Sequence, residues 1–244
     1  MNNQATIEKM KQIKLFGMAR AFQSIIDAGK ENKLTPDESV AFLVDAEYDD
    51  RYNKRLDRLL RTAKFRYKAY FEQIQFNTSR NLDKNIIMRL STCDWIKKGE
   101  SIIISGATGV GKSFIACAFG RQACINGYKV FYFNCLKLFS SLKFAKADGS
   151  YIKNMNKISK QELLILDDFG MEVLDTQSRL ILLEILEDRH GEKSTIITSQ
   201  LPPGKWHDVI GEPTIADAIC DRLVHSSHKI NLKGVSMRKK IILD

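Results

Sequence analysis

Proline is scarce in this sequence, with four residues in a chain of 244, and neither a low-complexity segment nor an internal repeat is visible. That excludes collagen-like and linker-rich architectures. No apolar run approaches the ~20 residues that a membrane-spanning helix needs. The opening stretch, MNNQATIEKMKQIKLFGM, lacks the apolar centre of a secretory signal. These absences make the chain read as soluble and cytoplasmic, with no membrane partner. None of the five cysteines (Cys93, Cys117, Cys124, Cys135, Cys220) forms a Cys-x-x-Cys pair, and their number is odd, so a disulfide framework is not expected. His225 and His228 stand three apart but have no third ligand in view. The only metal expected is therefore one that arrives with a nucleotide.

What is present is ordinary globular material, 44% hydrophobic and 27% charged, long enough for one large domain or for a small and a medium one. The net charge is +9, and six of those nine charges fall within residues 1–98. A basic excess favours polyanionic partners, nucleic acid above all.

Texture divides the chain. Thr35-Pro36-Asp37-Glu38 has the order of a helix start, with Thr35 as N-cap, Pro36 in the first turn and Glu38 closing a capping box. Upstream, Leu15, Met18, Phe22, Ile25 and Ile26 recur at helical spacing. Downstream, neither Gly nor Pro occurs until Gly99, so the stretch is expected to be mostly helix, broken near Asn77 to Asp83. From Gly99 the period changes. Short apolar runs (SIIIS at 101–105, VFYFN at 130–134, LLIL at 163–166, TIIT at 195–198 and HKINL at 228–232) alternate with helical patterns near 112–126, 136–147, 176–190 and 214–224. Continuous apolar strands alternating with helices predict a parallel sheet covered on both faces. The expected organisation is a helical domain over 1–80 and an α/β domain over 81–244.

Gly106-Ala107-Thr108-Gly109-Val110-Gly111-Lys112-Ser113 matches G-x-x-x-x-G-K-[ST], with a strand before it and a helix after it. Glycines let backbone N–H groups turn inward around a phosphate, and the following helix points its positive end at the same anion. Lys112 would supply a point charge to the β- and γ-phosphates, and Ser113 a hydroxyl oxygen to Mg²⁺. ATP or ADP with Mg²⁺ is thus the expected ligand. The apolar run at 163–166 ends in Asp167-Asp168, at the strand end where parallel sheets bind ligands. Asp167 is placed to hold the metal shell, and Asp168 to orient or deprotonate an attacking water. Read alone, the same pair is an acidic helix cap after a buried strand. Ser199 and Gln200, ending the next strand, are weaker candidates for sensing the γ-phosphate.

Residues 51–68 hold eight basic side chains and one acid, Asp57. On a continuous helix, Arg51, Lys54, Arg55, Arg58, Arg61 and Arg66 share one face, opposite Leu56, Leu59, Leu60, Ala63 and Tyr67. A solvated face would carry mixed signs and acids four residues away, and only Asp57 is present in that window. The row of basic groups therefore reads as a contact with the phosphate backbone of DNA or RNA with little sequence preference, and the family resemblance given below makes duplex DNA the expected partner.

Taken together, GATGVGKS, LLILDDFG, TIITSQLPPGKWHDVIGEPTIADAICDRLVHSSH and LKGVSMRKK resemble the IstB-like helper ATPases of insertion-sequence transposition, which are related to the DnaC-type helicase loaders in the initiator clade of AAA+ ATPases. EYDDRYNKRLDRLLRTAKF and STCDWIKKGESIIISG extend the resemblance over nearly the whole chain. It implies a P-loop AAA+ ATPase preceded by a small all-α domain, a homo-oligomer with ATP sites between subunits, and a cognate transposase as partner. It implies that Arg222 is a trans-acting arginine finger and that Arg238 touches nucleotide in cis. By themselves, these residues read as a helix-surface salt bridge and as part of a solvated basic tail. Many AAA+ proteins carry Glu where this chain has Asp168, and the shorter acid argues against fast basal hydrolysis. Two other functions fit the same residues. One is a helicase loader acting on single strands; the other is a passive nucleic-acid-binding module with a vestigial ATP site.

Overall fold

Thr35 and Glu38 make the reciprocal bonds that their spacing predicts: the Thr35 N–H donates to Glu38 Oε2 (2.7 Å), and the Glu38 N–H donates to Thr35 Oγ1 (3.3 Å). They start the longest helix of a computed structural model that describes residues 3–29, 34–76 and 80–237. The chain divides into two compact units, residues 1–58 and 59–244.

The first unit contains α1 (Asn3–Gln12), α2 (Phe16–Ala28) and most of α3 (Pro36–Ala63). It closes at Gly17, where an added Cβ would lie 2.2 Å from the Ala46 carbonyl oxygen, so only glycine lets α2 approach α3 this closely. The buried carboxylate of Glu47 accepts the free amides of Gly17 (2.8 Å) and Met18 (3.1 Å) at the start of α2.

Residues 59–80, which the texture of the sequence groups with the helical domain, fall in the second unit. Helix α3 ends at Ala63, and Lys64 takes a left-handed φ of 56°. From there to Phe76 the chain has one 3-10 turn, Phe71–Gln73, where helix is expected from the lack of Gly and Pro. Tertiary packing overrides that local reading. Phe71 packs edge-on against Phe119 (5.1 Å between centroids), and Phe65 fills the space beside Gly120, where a Cβ would meet its ring at 2.5 Å. Two short helices follow, α4 (Lys84–Ser91), capped by Asp83, and α5 (Asp94–Lys97).

The sheet has β1 (Ser101–Gly106), β2 (Val130–Asn134), β3 (Leu163–Phe169), β4 (Ser194–Ser199) and β5 (Ser227–Leu232) in the order β2-β3-β4-β1-β5, every pair parallel. Between the strands lie α6 (Lys112–Ile125), α7 (Cys135–Ala147), α8 (Tyr151–Ser159), α9 (Thr176–Glu187), α10 (Trp206–Ile210) and α11 (Pro213–Val224). Strands β1, β3 and β4 are buried along nearly their full length, as continuous apolar runs require. All five expected strands and four expected helices occur; α8 and α10 are additional. The order sets β4 between β1 and β3, so the glycine loop and the acid pair open on the same sheet edge, one strand apart.

Candidate nucleotide site

The loop leaves β1 at Gly106 and enters α6 at Lys112. Gly106, Gly109 and Gly111 take φ values of 146°, 84° and 97°, a region closed to most side chains. Lys112 is buried and folds back over the loop, its Nζ donating to the carbonyls of Gly106 and Ala107 at 2.8 Å each. The segment after β5 lies against the loop. The Met237 N–H donates to the Gly109 carbonyl (2.9 Å), and a Cβ on Gly109 would sit 2.2 Å from Ser236 Oγ. A cavity of about 520 Å³ is bounded here by Thr108, Gly109, Gly111, Lys112, Ser113, Asp168, Gln200 and Met237. Val110 turns inward and is buried.

Asp167 is fully buried at the end of β3. Thr198 Oγ1 and the Tyr132 hydroxyl both donate to its carboxylate. Burial first, then the bond to Asp167 and its negative charge, push the Tyr132 phenol far up, so it stays a donor. Asp168 follows in a left-handed conformation (φ 59°) at a bulge in the β3–β4 register. The bulge turns consecutive acids in different directions: Asp167 into the sheet end, Asp168 toward the cavity. The Asp168 N–H donates to Thr198 Oγ1 (3.0 Å), and Asn134 Nδ2 donates to Asp168 Oδ2 (3.1 Å).

The expected site residues thus separate. The loop, Asp168 and Gln200 line one cavity, and Asp167 lies buried next to Asp168 at the end of β3. Ser199 does not face the cavity: its hydroxyl donates to the Phe169 carbonyl (2.8 Å) and accepts the Leu201 N–H (3.1 Å), and Thr198 occupies the position beside the acids. Arg66 is not on the basic face of α3, because the helix stops at Ala63. Its Nη1 lies 3.2 Å from Asp168 Oδ2 and 3.5 Å from Asp167 Oδ2. Arg51, Lys54, Arg55, Arg58 and Arg61 remain exposed on α3. Two of them have acid partners that lie upstream of the 51–68 window: Arg51 pairs with Glu47 and Lys54 with Asp50, each at 2.7 Å. Arg222 is on α11, away from the chain's own loop, bonded to the Ala218 carbonyl and to Glu187 (both 2.9 Å). Arg238 lies outside the described residues.

Several residues at the site went unread in the sequence. Asn134 ends β2, and the strand-end rule that picked out Asp167 would have found it too. Arg80 carries no such signal. It is buried, donates to the carbonyls of Val110 (2.7 Å) and Gln75 (2.8 Å), and burial lowers its pKa. With Tyr67, Gln73, Ile74 and Gln75, it also lines the cavity. Both expected ligands fit what is there. The volume lies within the ~300–1,000 Å³ of small-molecule pockets. At Gly106, Gly109 and Gly111 the loop has no Cβ to block phosphate approach, and the Ser113 hydroxyl with the Asp168 carboxylate, next to the buried Asp167, offers the hard oxygens that Mg²⁺ prefers.

A parallel sheet in this order, with a glycine loop after one strand and an acid pair on the next but one, defines a P-loop AAA+ ATPase fold. The chain belongs to the IstB-like ATP binding protein family, whose pattern it matches over residues 8–243. It is 44% identical over 96% of its length to a Sinorhizobium fredii protein named as an insertion sequence ATP-binding protein (y4pL), and covers 96% of that protein. It is 39% identical over 83% of its length to the protein of insertion sequence IS1162 from Pseudomonas fluorescens, likewise named for ATP binding, and covers 88% of it. Among solved structures, the DnaC helicase loader superposes with a TM-score of 0.58 at 22% identity (72% of this chain, 99% of that one). DnaA from Aquifex aeolicus bound to AMPPCP superposes at 0.59 and 19% (73% and 55%). At these identities the likeness is one of fold. Among the described residues, no helix is long and apolar enough to cross a membrane.

Proposed function

We propose that the chain is a cytoplasmic, ATP-dependent assembly factor that binds duplex DNA with little sequence preference and assists the transposase of an insertion sequence. The observation that carries this reading is the meeting of Lys112 and Asp168 on one cavity, with Asp167 buried next to Asp168 at the end of β3 and Arg222 bonded to Glu187 outside it. Lys112 holds the terminal phosphates of ATP, the Gly109 and Gly111 backbone surrounds them, and Ser113 and Asp167 hold Mg²⁺. Bound there, the ion neutralises charge on the β- and γ-phosphates. Asp168 orients the attacking water. Tyr67, Gln73 and Gln75, which also line the cavity, contact the base and ribose. Gln200 reports the γ-phosphate. Arg222 reaches the site of a neighbouring subunit, which makes ATP the ligand that holds subunits together, and the exposed arginines of α3 then engage the DNA backbone jointly. Arg238 adds a cis contact.

The test is an ATPase and assembly measurement with and without duplex DNA. The parent should turn over ATP and assemble with it; Lys112→Ala should do neither, because the loop loses its cation. Full assembly of that variant with ATP would refute the P-loop role. A helicase loader is the second reading, favoured by the DnaC-like fold. A strong preference for single-stranded over duplex DNA would select it, and absence of any turnover would select the passive module.

A further inference from the structure

The acid pair holds a cation that has no part in the hydrolysis proposed for this site. Arg66 Nη1 lies between Asp168 Oδ2 and Asp167 Oδ2, 3.2 and 3.5 Å away. Its placement is built rather than incidental. Lys64 turns the chain out of α3 through a left-handed residue, and Phe65 packs against α6 where Gly120 leaves room for its ring. Tyr67, on the other side, sets its ring 6.4 Å from that of Phe114 and bounds the cavity. Arg66 is thus pinned on both sides, while its side chain stays 41% exposed at the acids. Asp167 is fully enclosed, with Oδ1 taken by Thr198 and Oδ2 by Tyr132 and Arg66. A carboxylate oxygen has about two lone-pair sites, so Arg66 uses the place on Oδ2 that a divalent ion or its bound water would need. A divalent ion at these oxygens would compete with the like-charged guanidinium for the same lone pairs.

We propose that Arg66 is the residue by which the site distinguishes nucleoside triphosphate from diphosphate. The inference rests on the nucleotide-site reading above. When nucleotide and Mg²⁺ engage the acids, the guanidinium loses its carboxylate partner and needs another anion within reach of a fixed backbone. A triphosphate supplies one in its γ-phosphate, next to Asp168. A diphosphate leaves the guanidinium facing Mg²⁺ with no compensating charge, so it binds at a disadvantage. Without Mg²⁺ the arginine stays on the acids, and the discrimination is absent.

The experiment titrates the full chain with fluorescent tri- and diphosphates, in Mg²⁺ and in EDTA, for the parent, Arg66→Gln and Arg66→Lys. In Mg²⁺ the parent should favour triphosphate. Arg66→Gln should lose about tenfold of that ratio, the effect of one charge-assisted hydrogen bond, and Arg66→Lys should keep most of it. In EDTA all three ratios should coincide. Because the charge-retaining variant is compared with the neutral one, a merely structural loss shows itself: equal shifts in Lys and Gln variants would overturn the proposal. So would a parental ratio in Arg66→Gln, or a difference that persists in EDTA. A parent that binds neither nucleotide would instead overturn the nucleotide-site reading itself.

Discussion

Thr198 shows how much of this site depends on a single hydroxyl. Its Oγ1 donates to the buried Asp167 carboxylate and accepts the Asp168 N–H, so it joins the two acids and holds the bulge between them. Asp167 is enclosed, so no solvent stands ready to replace a missing donor. Thr198→Val keeps the shape and removes both bonds. It should cost about 1–3 kcal/mol in denaturant unfolding, the usual penalty for leaving buried polar groups unsatisfied. Turnover should fall as well, because Asp168 would be without the bond that fixes its left-handed conformation. Unchanged stability in Thr198→Val would mean that Tyr132 and Arg66 alone suffice for Asp167. Asp168→Asn makes a different cut: nucleotide affinity should persist while turnover drops by about 10²–10⁴, the range for loss of a general base. Single-turnover assays with a parallel binding titration separate the two effects.

Among the elements, α9 offers the clearest test of charge against pH. Asp175 caps it, accepting the Ser178 N–H at 2.8 Å, and Lys143 lies 2.5 Å from its other oxygen. The bond from Lys143 first, then that from the Ser178 amide, bring this carboxyl down to about 2. A depressed carboxyl contributes stability that is complete above its ordinary value and disappears as pH falls toward the depressed one. Asp175→Ala should therefore cost about 1 kcal/mol near neutrality, mostly from the cap, because the ion pair is solvent-exposed. The difference from the parent should shrink between about pH 4 and pH 2 in urea melts; a gap that stays constant to pH 2 would show the charge to be irrelevant. The elements also show what local sequence could convey. The five strands were legible because buried parallel strands are written as uninterrupted apolar runs, and the start of α3 because a capping box is a matter of a few adjacent residues. The region 64–76 was not legible. Nothing in Lys64 or Phe65 announces a helix end; the reason lies some 55 residues away, at Gly120, whose missing side chain admits Phe65. The misplacement of Arg66 follows from that one error, since a face drawn at 100° per residue holds only while the helix continues. Arg80 and Tyr132 were hidden for the same cause: each acts through partners that only the fold brings together.

At the scale of the whole molecule, the two arginine groups should answer to different perturbations. Within one chain Arg222 is bonded to Glu187 and the Ala218 carbonyl, so acting on a neighbour requires exchanging that surface pair for a phosphate. An exposed pair of this kind is worth less than about 1 kcal/mol, so the exchange is cheap. Arg222→Ala should leave ATP affinity of the monomer intact and abolish stimulated hydrolysis, since a trans arginine contributes about 10³–10⁵ in rate. Mixed with Lys112→Ala it should regain part of the activity, because one kind of interface in the mixture joins an intact loop to an intact arginine. No recovery on mixing would place Arg222 in a cis role. The basic face of α3 calls for a different choice of residues. Arg51 holds buried Glu47, so replacing it would disturb the α2–α3 packing along with any DNA binding. Arg55, Arg58 and Arg61 are exposed on the same helix, and the triple alanine variant is the cleaner probe. Removing one arginine–phosphate interaction should reduce the slope of log K against log salt by about 0.9 on duplex DNA. The triple variant should bind all sequences more weakly and with a flatter salt dependence, while its nucleotide affinity matches the parent. In the parent, ATP should strengthen duplex binding without any new interaction, because subunits brought together act on one duplex. Titrations at two salt concentrations, with and without ATP, measure both effects. Equal affinity of variant and parent would remove α3 from the DNA interface, and tight binding by an ATP-free monomer would remove the need for assembly.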